Sequence, residues 1–169
     1  IFIDGGSRHQ GKSPLHISVG DGDSSIDPVD HVLPIHKDYS DLAFVLRSLP
    51  KNLTRLSMVG FLGGRRDHEL INLGEVHQFL CTRTSPTECD LDWAVCGFSP
   101  GKWPLQIKGI FTVLTFEPTK ITLTGDCAYP LNQPTELALM SSHGLSNEGF
   151  GVIELRNDGP VFLFKNPFS

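Results

Sequence analysis

An α/β domain with a mostly parallel sheet, followed by an all-β domain, is the fold class predicted for this chain, and three observations predict it. Up to residue 82, short apolar runs alternate with helical patterns. Each of those runs ends in a turn rich in Gly or Asp, as strands of a parallel sheet do where they hand over to a helix or crossover. Beyond Cys81 the apolar residues recur at strand rather than helix spacing.

Residues 1–3 read as a short strand ending at Asp4-Gly5-Gly6, and so apolar an opening looks like the middle of a fold, with an element expected upstream. Residues 17–19 form a second strand, ending at Gly20-Asp21-Gly22-Asp23-Ser24, and residues 32–35 a third. Leu42, Val45, Leu46 and Leu49 recur at helical spacing. Asp38 is the expected cap of that helix, Asp41 stands where a carboxylate faces its positive end, and Pro50 stops it. Residues 55–61 form a strand leading into Gly63-Gly64-Arg65-Arg66-Asp67-His68, after which Leu70, Leu73, His77 and Leu80 mark a second helix with Asp67 as its cap.

The segment from Cys81 to Lys102 is rich in Thr, Ser, Pro and Gly, and the domain boundary is expected there, between residues 82 and 83. Phe111, Val113 and Phe116, Ile121 and Leu123, Leu137 and Leu139, residues 152–155 and residues 161–164 then read as short strands separated by turns, as in a small antiparallel sandwich or barrel.

Composition bounds the function. With 169 residues, 39% apolar and 20% charged, the chain can bury a real core in one or two domains. Nineteen acidic against fourteen basic residues give a net charge of -5. That excludes polyanion binding as the main activity, and a phosphorylated ligand would need local compensation by a metal or a few placed Arg and Lys side chains. No apolar run approaches the roughly 20 residues of a membrane span, and the first residues lack the pattern of a signal peptide, so a cytoplasmic protein is expected. Cys81, Cys89, Cys96 and Cys127 include no C-x-x-C pair and are expected to be buried free thiols ahead of the alternatives, disulfides or zinc ligands.

Parallel sheets bind ligands at the carboxyl ends of their strands, where the turns after residues 3, 19 and 59 would converge. Asp21 and Asp23 lie two apart in one such turn, and Asp38 and Asp41 sit at a helix start that could face them. Carboxylates so grouped suit Mg²⁺, which takes hard oxygen ligands and shares its shell with water and phosphate. Taken alone, Asp-Gly-Asp-Ser reads first as a solvated surface turn, and its grouping with the other turns reverses that in favour of the metal. Gly63 and Gly64 before Arg65 would expose backbone N–H groups at a helix start, where an anion is favoured. The stretch lacks the G-x-x-x-x-G-K-[ST] pattern of a P-loop. In the second half, residues 142–148 (Ser-His-Gly-Leu-Ser-Asn-Glu) are either a β-turn or a set of hydroxyl and amide groups able to read a heteroaromatic amine.

Read in order, Asp4-Gly5-Gly6, Gly20-Asp21-Gly22-Asp23-Ser24, Lys37-Asp38-Tyr39-Ser40-Asp41-Leu42, Gly63-Gly64-Arg65-Arg66-Asp67-His68 and Ser146-Asn147-Glu148 resemble the motif series of thiamine pyrophosphokinases, across nearly the whole chain. The resemblance implies an α/β nucleotide-binding domain over residues 1–82 and a β-sandwich over 83–169 that binds thiamine and forms a homodimer. It also implies Mg²⁺-dependent transfer of pyrophosphate from ATP to the hydroxyl of thiamine, releasing AMP. By position, Asp21, Asp23 and Asp41 match the family's acidic cluster around Mg²⁺ and the transferred phosphates, with Asp38 close by. Asp4, Gly5, Gly6, Gly64, Arg65, Asp67 and His68 match its nucleotide segments, and Ser146 and Asn147 its thiamine-reading segment. The chain departs from the family pattern at Arg8, where Asn is usual, and at Asp126-Cys127-Ala128, where a Lys commonly precedes the Tyr-Pro-Leu that stands here at residues 129–131. Two further readings stay open: a pyrophosphotransferase of the same fold acting on a related alcohol, and a non-catalytic nucleotide- or thiamine-binding protein.

Overall fold

Strands β1 (Phe2–Ile3), β2 (Ser18–Gly20) and β3 (His31–Val32) pair in parallel in that order. Their carboxyl ends therefore share one edge, and Asp21 leaves β2 at that edge. The computed structural model describes residues 1–3, 6, 16–22 and 29–165. Contacts divide the chain into two compact units, Ile1–Leu49 and Pro50–Ser169.

In the first unit, Ser18 braces β2 against the start of β3. Its N–H and hydroxyl both donate to Asp30 Oδ2 at 2.8 and 2.9 Å, and Asp30 N returns a bond to Ser18 Oγ. Helix α1 (Asp41–Ser48) buries Leu42, Val45 and Leu46 of the expected stripe and Ala43 beside them, whereas Leu49, the fourth expected position, is the half-buried C-cap; Val45 packs on Val19 and Leu33. The helix is capped by Ser40, whose Oγ accepts from Ala43 N at 3.0 Å. Asp38 is not the cap: it lies two residues too early for its side chain to serve the first free N–H groups, and it is exposed.

The second unit is one sheet of eight strands with a helix against it. The strands are β4 (Arg55–Met58), β5 (Glu88–Leu91), β6 (Val95–Phe98), β7 (Gly101–Leu114), β8 (Thr119–Cys127), β9 (Leu131–Leu137), β10 (Asn147–Asn157) and β11 (Val161–Lys165). Their order is β4-β5-β6-β11-β7-β10-β8-β9, parallel at β4–β5 and antiparallel elsewhere. Helix α2 (Arg66–Cys81) follows β4 and packs on β6. Leu80 lies against Gly97 on the face where Phe162 also sits. On the opposite face Phe98, Ile107, Phe111, Val113, Ile121, Leu123, Ile153, Leu155 and Leu163 form one buried cluster. Both faces of β6 are thus covered, and all four of its residues are buried.

Several expectations shift. The β5–β6 hairpin occupies the stretch read as a boundary. Its turn uses Asp92 and Trp93 at φ 50° and 58°, a conformation that sequence reading expects of Asn-Gly. Strand β4 joins the eight-stranded sheet through β5, so the compact units divide after Leu49, whereas the change of periodicity falls at 82/83. Leu70 is exposed although it sits at core spacing on α2. Leu139 lies past the end of β9, exposed, and Phe116 lies in the turn after β7. Pro104 does not break β7, because there β7 pairs only with β10. Of the four thiols, Cys89 and Cys96 are buried and Cys127 is half-buried, whereas Cys81 is exposed. Burial pushes the Cys89 thiol up to about 12. Among the described residues no helix is long and apolar enough to cross a membrane.

Gly125 sits at φ +103°, beside a register shift between β8 and β10, and a Cβ there would collide with Val152 O. Gly125→Ala should therefore cost about 1–3 kcal/mol, read as a lowered urea midpoint. A midpoint equal to wild type would show that the ladder relaxes freely at this position.

Candidate functional site

Helix α1 begins with a carboxylate and is preceded, one turn earlier, by Lys37. The i, i+4 spacing brings Lys37 Nζ to 3.0 Å from Asp41 Oδ1. The same ammonium stands 3.5 Å from Asp21 Oδ2, across from the end of β2, and donates to Pro34 O at 3.0 Å. All three side chains are shielded, at 9%, 16% and 13% exposure for Lys37, Asp21 and Asp41. Asp41 Oδ1 receives no well-angled hydrogen bond even so. The carboxylates, Asp41 first and then Asp21, hold the Lys37 ammonium protonated beyond its usual range. Two carboxylates facing one cation from two elements form a donor set of hard oxygens, and Lys37 supplies the positive charge. The pair fits a divalent metal such as Mg²⁺, which prefers such ligands.

The acidic cluster expected from sequence is thus brought together at Asp21 and Asp41. Asp38 is exposed at the bend before the helix. Asp4, Gly5 and Asp23 lie outside the described residues, and Gly6 follows β1 with open space where a Cβ would be. Lys37 had no assigned role in the sequence reading, although its i, i+4 spacing to Asp41 at a helix entry is a signal that could have found it.

In the second unit the chain leaves β4 through a loop held from outside itself. Asp92 accepts from Gly60 N with one carboxylate oxygen, and from Phe61 N and Leu62 N with the other, at 2.9 and 2.7 Å. Asn72 of α2 donates to Phe61 O at 3.0 Å. Gly63 and Gly64 then take φ of +79° and +88°, which side-chain-bearing residues rarely adopt, and the chain enters α2. Arg65 occupies the cap position with no side-chain cap bond, so Asp67 is not the N-cap but lies in the first turn. Its carboxylate takes a bidentate pair from Arg65, with Nε to Oδ1 at 3.1 Å. That pair, helped by N–H groups of the helix start, lowers the Asp67 carboxyl to about 2. His68 is exposed on the same turn, so Gly64, Arg65, Asp67 and His68 form one solvent-facing helix entry. The anchors Asp92 and Asn72 went unseen in sequence because Asp92 reaches its partners from about thirty residues away.

A cavity of about 370 Å³ opens in the large sheet, lined by Val113, Leu123, Tyr129, His143, Leu145 and Asn147 among others. Its volume is that of a small-ligand site. Asn147 is committed to shaping it: Oδ1 accepts from Tyr129 N at 3.0 Å and from Glu148 N at 2.8 Å, and Nδ2 donates to Tyr129 O at 2.8 Å. Both oxygen lone pairs are used, and the same side chain also bonds the Cys127 thiol, so Asn147 shapes the cavity wall. Ser146 is exposed at φ 56°, and its N–H donates to Thr112 Oγ1 at 3.1 Å.

No protein-family model and no curated protein matches the chain. Solved structures do. It is similar to thiamine pyrophosphokinase from Bacillus subtilis, with a TM-score of 0.74 at 24% identity over 97% of this chain and 85% of that one. The enzyme from Geobacillus thermodenitrificans matches with a TM-score of 0.68 at 20% identity, covering 98% of this chain and 85% of that one. The Candida albicans enzyme matches at 0.62 and 11% identity, over 86% and 71%. The chain has the fold of the thiamine pyrophosphokinases. Identity this low speaks to the fold, and the small parallel sheet and large mixed sheet described above are what is shared.

The Arg65–Asp67 pair yields a titration prediction. A carboxyl lowered to about 2 contributes stability that is fully present above its unfolded value of 3.8 and is lost as the pH falls through about 2. Both side chains are mostly exposed, so water screens the pair. In Arg65→Ala the Asp67 carboxyl should titrate near its ordinary value, followed by carboxyl-carbon NMR. An Asp67 that still titrates near 2 in that variant would assign its shift to the helix N–H groups instead.

Proposed function

We propose that this chain is a thiamine pyrophosphokinase, moving pyrophosphate from ATP to the hydroxyl of thiamine. In this reaction the alcohol oxygen bonds to the β-phosphorus and gives up its proton to solvent, the bond from that phosphorus to the bridging oxygen breaks, and AMP leaves with that oxygen. The observation that carries the reading is the Asp21–Lys37–Asp41 arrangement at the carboxyl edge of a parallel sheet, in a chain with this fold. Asp21 and Asp41, with Asp23 by its motif position, would hold Mg²⁺, and Lys37, which bridges the two carboxylates, would give up that role to the metal and turn to phosphate oxygens. When bound, the metal neutralises charge on the transferred group, and positioning plus such neutralisation accounts for most of the acceleration in phosphoryl transfer. Arg65, at the Gly63-Gly64 helix entry with Asp67 and His68, binds the nucleotide, as do Asp4, Gly5, Gly6 and Asp38 by motif position. The cavity beside Asn147 takes the heteroaromatic end of thiamine, with Ser146 at its margin.

The same reading makes the protein a cytoplasmic homodimer. Phe150 and Val152, each 58% exposed on β10, support an apolar partner surface. Sedimentation at micromolar concentration should give a dimer; a monomer with full turnover would remove the subunit contact from the reading.

A second reading, a pyrophosphotransferase acting on a related alcohol, is favoured by Asp126-Cys127-Ala128, which leads into the cavity-lining Tyr129 without a lysine. One assay separates them. With ATP and Mg²⁺, AMP release should depend on thiamine, and Asp41→Asn should lower it by at least about 100-fold, since even outer-shell changes at metal sites often cost 10–100-fold. AMP release with another alcohol in place of thiamine supports the second reading. Ligand binding without AMP release would leave a binding protein.

A further inference from the structure

His77 and Cys81 stand one turn apart on α2, and Glu117 reaches them from the turn between β7 and β8. Cys81 Sγ lies 3.6 Å from His77 Nε2 and 4.0 Å from Glu117 Oε1, and Nε2 and Oε1 are 3.9 Å apart. Among the described residues this is the one group of three His, Cys, Asp or Glu side chains whose ligand atoms converge so closely. We propose that His77, Cys81 and Glu117 form a binding site for a divalent transition cation, Zn²⁺ foremost, with the fourth tetrahedral position left to water. The site is separate from the Asp21–Asp41 pair and does not rest on the function proposed above.

The geometry is close to what the metal needs. Zinc bonds of about 2.3 Å to sulfur and about 2.0–2.1 Å to nitrogen or oxygen, at tetrahedral angles, put ligand atoms roughly 3.3–3.6 Å apart. The His77–Cys81 pair is already at that spacing. Glu117, exposed in a turn, needs a shift of about half an ångström to match it. A thiolate and an imidazole discriminate against Mg²⁺ and Ca²⁺, which take oxygen.

The protonation chemistry is consistent with a metal. Burial lowers the proton affinity of His77, leaving the neutral ring that ligates. Partial desolvation of the sulfur, although the residue as a whole is exposed, and the Glu117 carboxylate favour the Cys81 thiol over its thiolate. Binding must therefore break the S–H bond, form the metal–sulfur bond and release the proton to solvent. The His77 ring is oriented by packing on Phe116, with centroids 5.9 Å apart, while its Nδ1 makes no hydrogen bond. Lacking that outer support, the site should bind more weakly than closed four-ligand zinc sites. Its effect is to tie the last turn of α2 to the β7–β8 turn.

Cobalt(II) is the discriminating probe. Titrated into the protein, it should produce a thiolate-to-cobalt charge-transfer band in the near ultraviolet that saturates at one equivalent per chain, and Zn²⁺ should bleach it. Cys81→Ser should abolish the band, whereas Glu117→Gln should keep it and weaken binding by at least about tenfold. Zn²⁺ should raise the melting temperature of the wild type by more than that of Cys81→Ser, whose remaining rise reports any binding at Asp21 and Asp41. Both substitutions are at exposed positions and should fold. Cobalt held by Asp21 and Asp41 gives no thiolate band, so the two sites are told apart. The proposal is overturned by a wild type without the band, by a band that survives in Cys81→Ser, or by unchanged affinity in Glu117→Gln.

Discussion

The antiparallel ladder between β7 and β10 is the constraint on which the second unit depends. All eleven residues of β10 pair with β7 without a break, from Asn147 opposite Phe111 to Asn157 opposite Gly101. Side chains alternate across a strand, so this one register fixes which of them face the core: Phe111 and Ile107 on β7, Ile153 and Leu155 on β10. It also fixes both ends of the ladder. At one end Asn147 holds the Tyr129 loop beside the cavity, and at the other Asn157 donates to Ser99 O and Gly159 O. A slip by one residue would turn the core outward and dismantle the cavity at the same time.

In the first unit charge joins area as an organiser. Among the described residues its strands are two or three residues long, and α1 packs on Val19 and Leu33. What the sheet edge and the start of α1 present to each other are two carboxylates, which repel unless a cation lies between them. Lys37 supplies that cation, and Ser40 fixes the helix start so that Asp41 points to it. Asp30 plays a comparable part on the protein side, its carboxylate held low by hydrogen bonds from Ser18.

The Gly63-Gly64 loop shows how a flexible sequence becomes a defined surface. Two successive glycines offer freedom, and freedom alone would leave the loop without a shape. Asp92 takes three consecutive N–H groups upstream, and Asn72 takes the carbonyl of Phe61, so the glycines begin from a fixed point. The conformation is then one that residues with a Cβ rarely adopt, and Arg65 enters α2 facing solvent beside Asp67.

Local rules were enough to read much of this protein from its sequence. Leu42, Val45 and Leu46 on α1, Leu73, His77 and Leu80 on α2, and the alternating residues of β8 and β10 are buried where their periods place them, while β11 buries Val161, Phe162 and Leu163 in succession. Periodicity is a local property, and hydrophobic burial enforces it wherever an element has one apolar face. The motifs around Asp21, Asp41 and Arg65 were legible for the same reason, since each is a few contiguous residues. What local signals misjudged were contacts between distant residues. The cap fell to Ser40 and not Asp38, and the β5–β6 turn formed on Asp92 and Trp93 with no glycine to announce it. Sequence could expose Asn147 as polar and Cys81 as a thiol. Only the tertiary structure spends the Asn147 amide on Tyr129, or brings Glu117 to within 4.0 Å of Cys81, because those partners depend on strand register and helix docking, which no local pattern encodes.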